Sequence, residues 1–199
     1  RRAAAGPTAR PEGPHVAVEL IALDPEVPEQ DEMGQLLAGY YQTLRDTNLR
    51  RGDPAECEVP SEDAPRFVGN ATCESCHAEA FEFWKRTKHA DAWETLERRA
   101  KHYDLTCVGC HTVGFRAPGG FCRLEDAEPY RDVGCESCHG PGSRHVMDPE
   151  AGVIDRGAGA DTCARGCHVP EHSDAFEYDT YVRAVTGPGH PLGGGEAEE

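Results

Sequence analysis

The 199-residue sequence predicts a mainly α fold with much irregular loop and little sheet, in which short helices wrap something other than a large side-chain core. Three observations predict it. The apolar fraction is 38% and the aromatic fraction 7%, against a globular norm of about 45–50% apolar, so an all-protein core would be thin. Ten cysteines are present, and eight of them fall in four tight clusters. The longest periodic stretches carry apolar residues at helical spacing.

The clusters are Cys73-Glu-Ser-Cys76-His77, Cys107-Val-Gly-Cys110-His111, Cys135-Glu-Ser-Cys138-His139 and Cys163-Ala-Arg-Gly-Cys167-His168. Three read Cys-x-x-Cys-His, the attachment signature of c-type haem. Two thiols add to the porphyrin vinyl groups as thioethers. Two intervening residues set the sulfur spacing on a short helical turn. The following His then lies under the ring and reaches the iron. Structural zinc also uses Cys-x-x-Cys pairs, but it does not require His after every second Cys. In the fourth cluster the Cys-His dipeptide is intact and the extra residue falls where Arg165-Gly166 can bulge. The alternative there is a Cys163–Cys167 disulfide or two free thiols. Four covalently attached haem c groups also explain the thin core, because porphyrin faces replace aliphatic side chains.

The elements follow in chain order. Residues 1–14 are rich in Ala, Gly, Pro and Glu and read as disordered or linker. Residues 15–60 form an N-terminal appendage. Within it "HVAVELIAL" reads as a strand, and "DEMGQLLAGYYQTLRD" as a helix with Met33, Leu36, Leu37, Tyr40, Tyr41 and Leu44 at helical spacing. Residues 61–190 form the haem domain. In it residues 76–99 read as one unbroken helix, without Gly or Pro, and "FEYDTYVRAV" reads as strand-like. Residues 191–199 form a disordered acidic tail. Cys57 and Cys122 lie outside the clusters. In an oxidising compartment two spare cysteines most simply pair, though free thiols or intermolecular bonds fit the sequence as well.

Six histidines remain to serve as second axial ligands: His15, His89, His102, His145, His172 and His190. On one straight helix His77 and His89 stand about 18 Å apart, so His89 serves a different haem from His77. The Gly-Pro-Gly turn after His139 redirects the chain and can aim His145 at a neighbouring haem. His190 follows in "TGPGHP". His172, four residues after His168, projects on the same side if that stretch is helical and cannot ligate the same iron.

The formal charge of -16 argues against nucleic acid and anionic membrane as partners. It suits redox partners with a basic docking surface. No run of 18 or more apolar residues exists, so no membrane span is expected. Haem attachment to cysteine occurs outside the cytoplasm, which predicts an exported protein of the periplasm or the extracellular space. The chain begins at Arg1 without an initiator Met, as expected of a processed protein or a piece of a longer one.

"FVGNATCESCHAEAFEFWKRTKHADAWETLE", "CVGCHTVGF", "VGCESCHGPGSRHV" and "CARGCHVPEHSDAFEYDTYV" together resemble the cytochrome c-554-like tetrahaem family, over roughly residues 66–190. The resemblance implies a multihaem cytochrome c fold with stacked haems. It implies His89, His145 and His190 as distal ligands, three bis-histidine irons, and one five-coordinate iron assigned to the motif at Cys107, Cys110 and His111. The longer last motif departs from the pattern, and His102 is a candidate to close the open position. The passage "ALDPEVPEQDEM" resembles the link between a metallophosphatase domain and a C-terminal tetrahaem domain, but no metal-binding motif of such a domain is present, so no phosphatase activity is expected.

No Ser-His-Asp arrangement, phosphate loop or carboxylate pair stands beside the motifs. The expectation is therefore an electron-transport protein rather than an enzyme. The alternatives are a subunit of an extracellular cytochrome filament, with a distal His donated in trans, and a reductase of small nitrogen oxides at the five-coordinate iron.

Overall fold

The computed structural model describes residues 28, 30–50, 60–150, 154, 159–188 and 190. The predicted strand at residues 15–23, His15, Cys57 and both predicted disordered ends, 1–14 and 191–199, lie outside them.

Helices α1 (Asp31–Arg50), α2 (Asn70–Glu74), α3 (Ala78–Trp84), α4 (Ala92–Glu97), α5 (Leu105–His111), α6 (Cys135–His139), α7 (Ser143–Met147), α8 (Ala160–Gly166) and α9 (Tyr178–Val185) are joined by 3₁₀ turns and loops. The extended pairing among the described residues is limited to two isolated bridges, Thr112 with Arg131 and Phe115 with Phe121. The fold is mainly α, as the thin apolar content predicts. None of the described helices is long and apolar enough to cross a membrane.

The side-chain core is correspondingly small. Trp93, Leu96, Val108, Phe121 and Ala127 form it, with Cys107, Phe115, Leu124 and Tyr130 packed around them. It sits where α4 and α5 meet the loop of residues 112–130. Phe121 and Tyr130 stack with ring centroids 5.2 Å apart. Among the described residues this apolar cluster sits behind the second motif.

Helix α1 docks on this region by its C-terminal half. Asn48 is buried and donates from Nδ2 to the Tyr103 carbonyl at 2.6 Å. The Arg45 guanidinium lies 5.2 Å from the Tyr103 ring centre and the Lys101 ammonium 5.9 Å from that of Tyr41. Tyr41 and Leu44 are half-buried, whereas Met33, Leu36, Leu37 and Tyr40 are exposed.

Two expected elements are corrected. Residues 76–99 are not one helix. Cys76 and His77 lie between α2 and α3, and the chain breaks again at Thr87, whose backbone is extended (φ -89°, ψ 163°). The Thr87 hydroxyl donates to the Trp84 carbonyl at 2.8 Å, so the side chain satisfies a carbonyl that a continuing helix would have used. Residue 133 spans the break: Val133 accepts from Trp84 Nε1 at 2.9 Å and donates to the His89 carbonyl at 3.1 Å. Tertiary hydrogen bonds thus outweigh helix propensity here. The strand-like "FEYDTYVRAV" contains helix α9 instead. Tyr178, Val182 and Val185 turn inward at i, i+4 and i+7, a helical stripe hidden behind the alternation of its first four residues.

Candidate haem-binding sites

Each cluster ends a short helix or follows one. The second occupies the end of α5, which starts at an Asp104 cap accepting from the Thr106 amide at 3.0 Å. The third is α6 itself, stopped by Gly140 at φ 71°, a conformation in which glycine costs least. The first runs from the end of α2 into the turn before α3. In it the His77 amide donates to the Cys73 carbonyl at 2.9 Å. In the fourth the His168 amide donates to the Cys163 carbonyl at 3.0 Å. The extra residue is absorbed in a wider turn, i to i+5 instead of i to i+4, and the histidine hangs from the same carbonyl in both.

The histidine rings form three facing pairs. His77 and His145 stand 6.1 Å apart between centroids, at 22° between planes. His89 and His168 stand 6.3 Å apart at 48°. His139 and His190 stand 5.9 Å apart at 39°. An iron–nitrogen bond of about 2 Å, plus roughly 1.1 Å from each nitrogen to its ring centre, puts two trans imidazoles about 6 Å apart. The three centroid separations match that spacing. Nδ1 of His145, of His190 and of His102 is buried without a protein hydrogen-bond partner, so this feature is shared by two paired rings and one unpaired ring. The residues present therefore fit haem.

Each ring has a local cause. His145 rides on α7, directly after the Gly-Pro-Gly turn. The His190 amide donates to the Gly187 carbonyl at 2.9 Å, and Gly187 packs so closely on Phe83 that a Cβ would overlap the ring. His168 stacks on Phe176 with centroids 4.2 Å apart, and its Nδ1 meets the Ser173 hydroxyl at 3.2 Å. Burial pushes the His89 imidazole below its ordinary pKa, with nearby His168 adding to the effect. Burial does the same to His168. Both rings are thereby held neutral, the form that binds a metal.

His111 differs. Its Nδ1 lies 2.6 Å from the Ala92 carbonyl and 3.4 Å from the Thr95 hydroxyl, which orients the ring and leaves Nε2 outward. No imidazole pairs with it among the described residues. His102, the candidate to close that position, packs instead against Tyr103 and Trp93, with ring centroids at 3.9 and 6.0 Å. His172 lies exposed in the turn after His168.

The cysteines of different motifs are neighbours. Cys73 and Cys135 lie beside one another. Cys110 donates to the Gly166 carbonyl at 3.2 Å and lies beside Cys167. Cys138 and Cys163 feel one another's charge. Burial raises the thiols of Cys107, Cys138 and Cys163, and burial with nearby Cys110 pushes Cys167 up to about 12. Those four surroundings suit neutral sulfur, as in a thioether, whereas the neighbouring Cys73 side chain lowers the Cys135 thiol. Among the described residues no three His, Cys, Asp or Glu side chains converge to hold a metal ion by themselves. None of the eight motif cysteines is in a disulfide, whereas Cys122 is disulfide-bonded.

Sequence reasoning missed Glu136. It stands inside the third motif and is 3% exposed. Its carboxylate accepts from the Val68 amide at 3.0 and 3.1 Å, the Gly69 amide at 2.9 Å and the Gly142 amide at 2.7 Å. Beside it, Asn70 Oδ1 accepts from the Cys135 amide at 3.0 Å.

Residues 72–140 match the family described as cytochrome c554 and c-prime. Cytochrome c-554 of Nitrosomonas europaea is 44% identical over 96 residues, covering 40% of this chain and 40% of that protein. The solved reduced-state cytochrome c554 from the same organism is 28% identical, with a TM-score of 0.49, over 61% of this chain and 84% of that one.

Proposed function

Starting from a chain that is cytochrome c-554-like over residues 72–140, we propose an exported electron carrier with four haem c groups. The attachment cysteines are Cys73 and Cys76, Cys107 and Cys110, Cys135 and Cys138, and Cys163 and Cys167. The axial ligands are His77 with His145, His139 with His190, His168 with His89, and His111 alone. The observation that carries the reading is the set of three imidazole pairs at 5.9–6.3 Å. The fourth motif lies beyond the family match, and the His89–His168 pair is what supports it.

Haem supplies the one-electron couple of its iron. The chain's residues would hold that couple in place: His77 with His145, His139 with His190 and His168 with His89 would each offer an iron two neutral imidazoles, a ligand set that favours low-spin iron. The sulfur neighbours connect the motifs in the order first, third, fourth, second, which supports one continuous array for electron passage. The charge of -16 supports docking to partners with a basic surface. Covalent haem and the Cys122 disulfide support a periplasmic or extracellular location.

A second reading has one observation in its favour. His111 lacks a paired imidazole, so its iron would keep an open position for a small ligand such as a nitrogen oxide. The filament reading has less support, because His190 faces His139 of its own chain.

Ferric EPR and optical spectra, with haem count from intact mass, test the proposal. Four haems with three low-spin signals and one high-spin signal are expected. Three haems would remove the fourth motif. Four low-spin haems would remove the open iron and with it the reductase reading.

A further inference from the structure

Glu136 is neither an attachment cysteine nor a ligand histidine, yet it is the acidic side chain that is buried among the described residues. Three backbone N–H groups converge on it. A carboxylic acid would bring a proton to an oxygen already facing N–H donors, so the ionised form, which only accepts, is the one that fits. It forms no ion pair among the described residues. A full negative charge is thus buried against amide dipoles alone.

Its position is specific. Val68 and Gly69 lead directly into α2, which carries Cys73. Gly142 leads directly into α7, which carries His145. Glu136 itself follows Cys135 and lies on the helix that ends in His139. One carboxylate therefore ties together three segments that bear the first and third motifs and the ring opposite His77. Its charge also bears on Cys73, Cys135 and the Tyr130 hydroxyl, opposing ionisation of each.

We infer that Glu136 is a positioning residue whose buried charge also lowers the reduction potentials of the two haems attached at the first and third motifs. The inference rests on the ligand pairs His77–His145 and His139–His190 proposed above. The physical reason is direct. Reduction adds one electron to the iron, and a fixed anion in a low-dielectric surrounding opposes it. Screening by salt is weak because the carboxylate is out of contact with solvent.

The test is spectropotentiometric titration of holoprotein carrying Glu136→Gln, which keeps size and one acceptor oxygen while removing the charge. Two midpoints are expected to rise, at low and high ionic strength alike, with EPR g-values unchanged. Glu74→Gln, at the same place in the identical first motif, should leave all midpoints where they are. Unmoved midpoints in folded Glu136→Gln, or an equal shift of all four, would overturn the inference. Should that variant fail to assemble, reduced-minus-oxidised infrared spectra of the wild type and Glu136→Asp decide. A carboxylate band responding to reduction and displaced in Glu136→Asp supports it. A protonated carboxylic acid band there, or no response, overturns it. Failure of the ligand pairs themselves would show separately, as missing low-spin signals in the wild type.

Discussion

The sequence contains "CESCH" twice, at residues 73–77 and 135–139, and the two copies have different surroundings. In the first, Glu74 is exposed and the motif leaves its helix after Glu74, with Cys76 and His77 in the turn that follows. In the second, the five residues form one helix and Glu136 is buried under three amides. The cause lies in the flanks. After His139 the chain reads Gly-Pro-Gly, and Gly140 at φ 71° turns it so that the Gly142 amide returns to Glu136. After His77 comes Ala-Glu-Ala, which starts another helix and folds nothing back. Before Cys135 stands Gly134, where a Cβ would overlap the Asn70 side chain. The attachment signature thus specifies the covalent chemistry, while its neighbours specify the electrostatic setting.

Removing the buried member should break the comparison most visibly. Glu136→Ala is expected to destabilise the holoprotein by roughly 3–5 kcal/mol, since three buried donors lose a partner at about 1–3 kcal/mol each and entering water recovers part. Glu74→Ala should stay within about 0.5 kcal/mol. Thermal or guanidinium unfolding followed by haem absorbance measures both, and equal effects would mean that burial of Glu136 is not what separates the motifs.

A smaller contrast comes from the residues ahead of each motif. Gly134→Ala forces a Cβ into Asn70 and should cost about 1–3 kcal/mol, with loosening of the Cys135 amide bond. Thr72→Ala, just before the first motif, removes only a hydroxyl bond to the Val68 carbonyl at 2.9 Å and should cost about 1 kcal/mol or less. The same unfolding assay ranks them, and the reverse order would sink the argument that the third motif is the tightly packed one.

These contrasts separate what is visible in the letters from what is not. A spacing of two residues between cysteines, followed by histidine, is a chemical requirement and is visible as letters. His89, His145 and His190 are recognisable because short local patterns carry them, "KHA" and the two glycine-proline turns, and each ring stands opposite a motif histidine. The helix of α1 is legible from its period. Thr87 is not, because its helix-breaking conformation depends on Val133, 46 residues away. Helix α9 is misread because four alternating residues precede a helical stripe. Glu136 is invisible for the same kind of reason: it shares every letter of its motif with Glu74, and only a glycine turn and a distant pair of amides distinguish them.

The smallest effect reads the field of Glu136 at Tyr130. That phenol is held above its ordinary pKa by burial first, then by the charges of Glu136 and Asp126. Its hydroxyl reaches the Phe67 carbonyl at 3.4 Å, one residue from the amides that bind Glu136. The folded state therefore keeps the Tyr130 proton over a range in which the unfolded chain, near pH 10, has lost it. Protons bound then exceed in the folded state, so stability falls as pH rises from the ordinary tyrosine value toward the folded one. Glu136→Gln removes one of the lesser causes and should bring Tyr130 ionisation to slightly lower pH, whereas Glu74→Gln should not move it. Tyrosinate absorbance during alkaline titration, with Tyr130→Phe to assign the signal, measures the shift. Identical curves for the two glutamine variants would confine the influence of Glu136 to the hydrogen bonds it accepts.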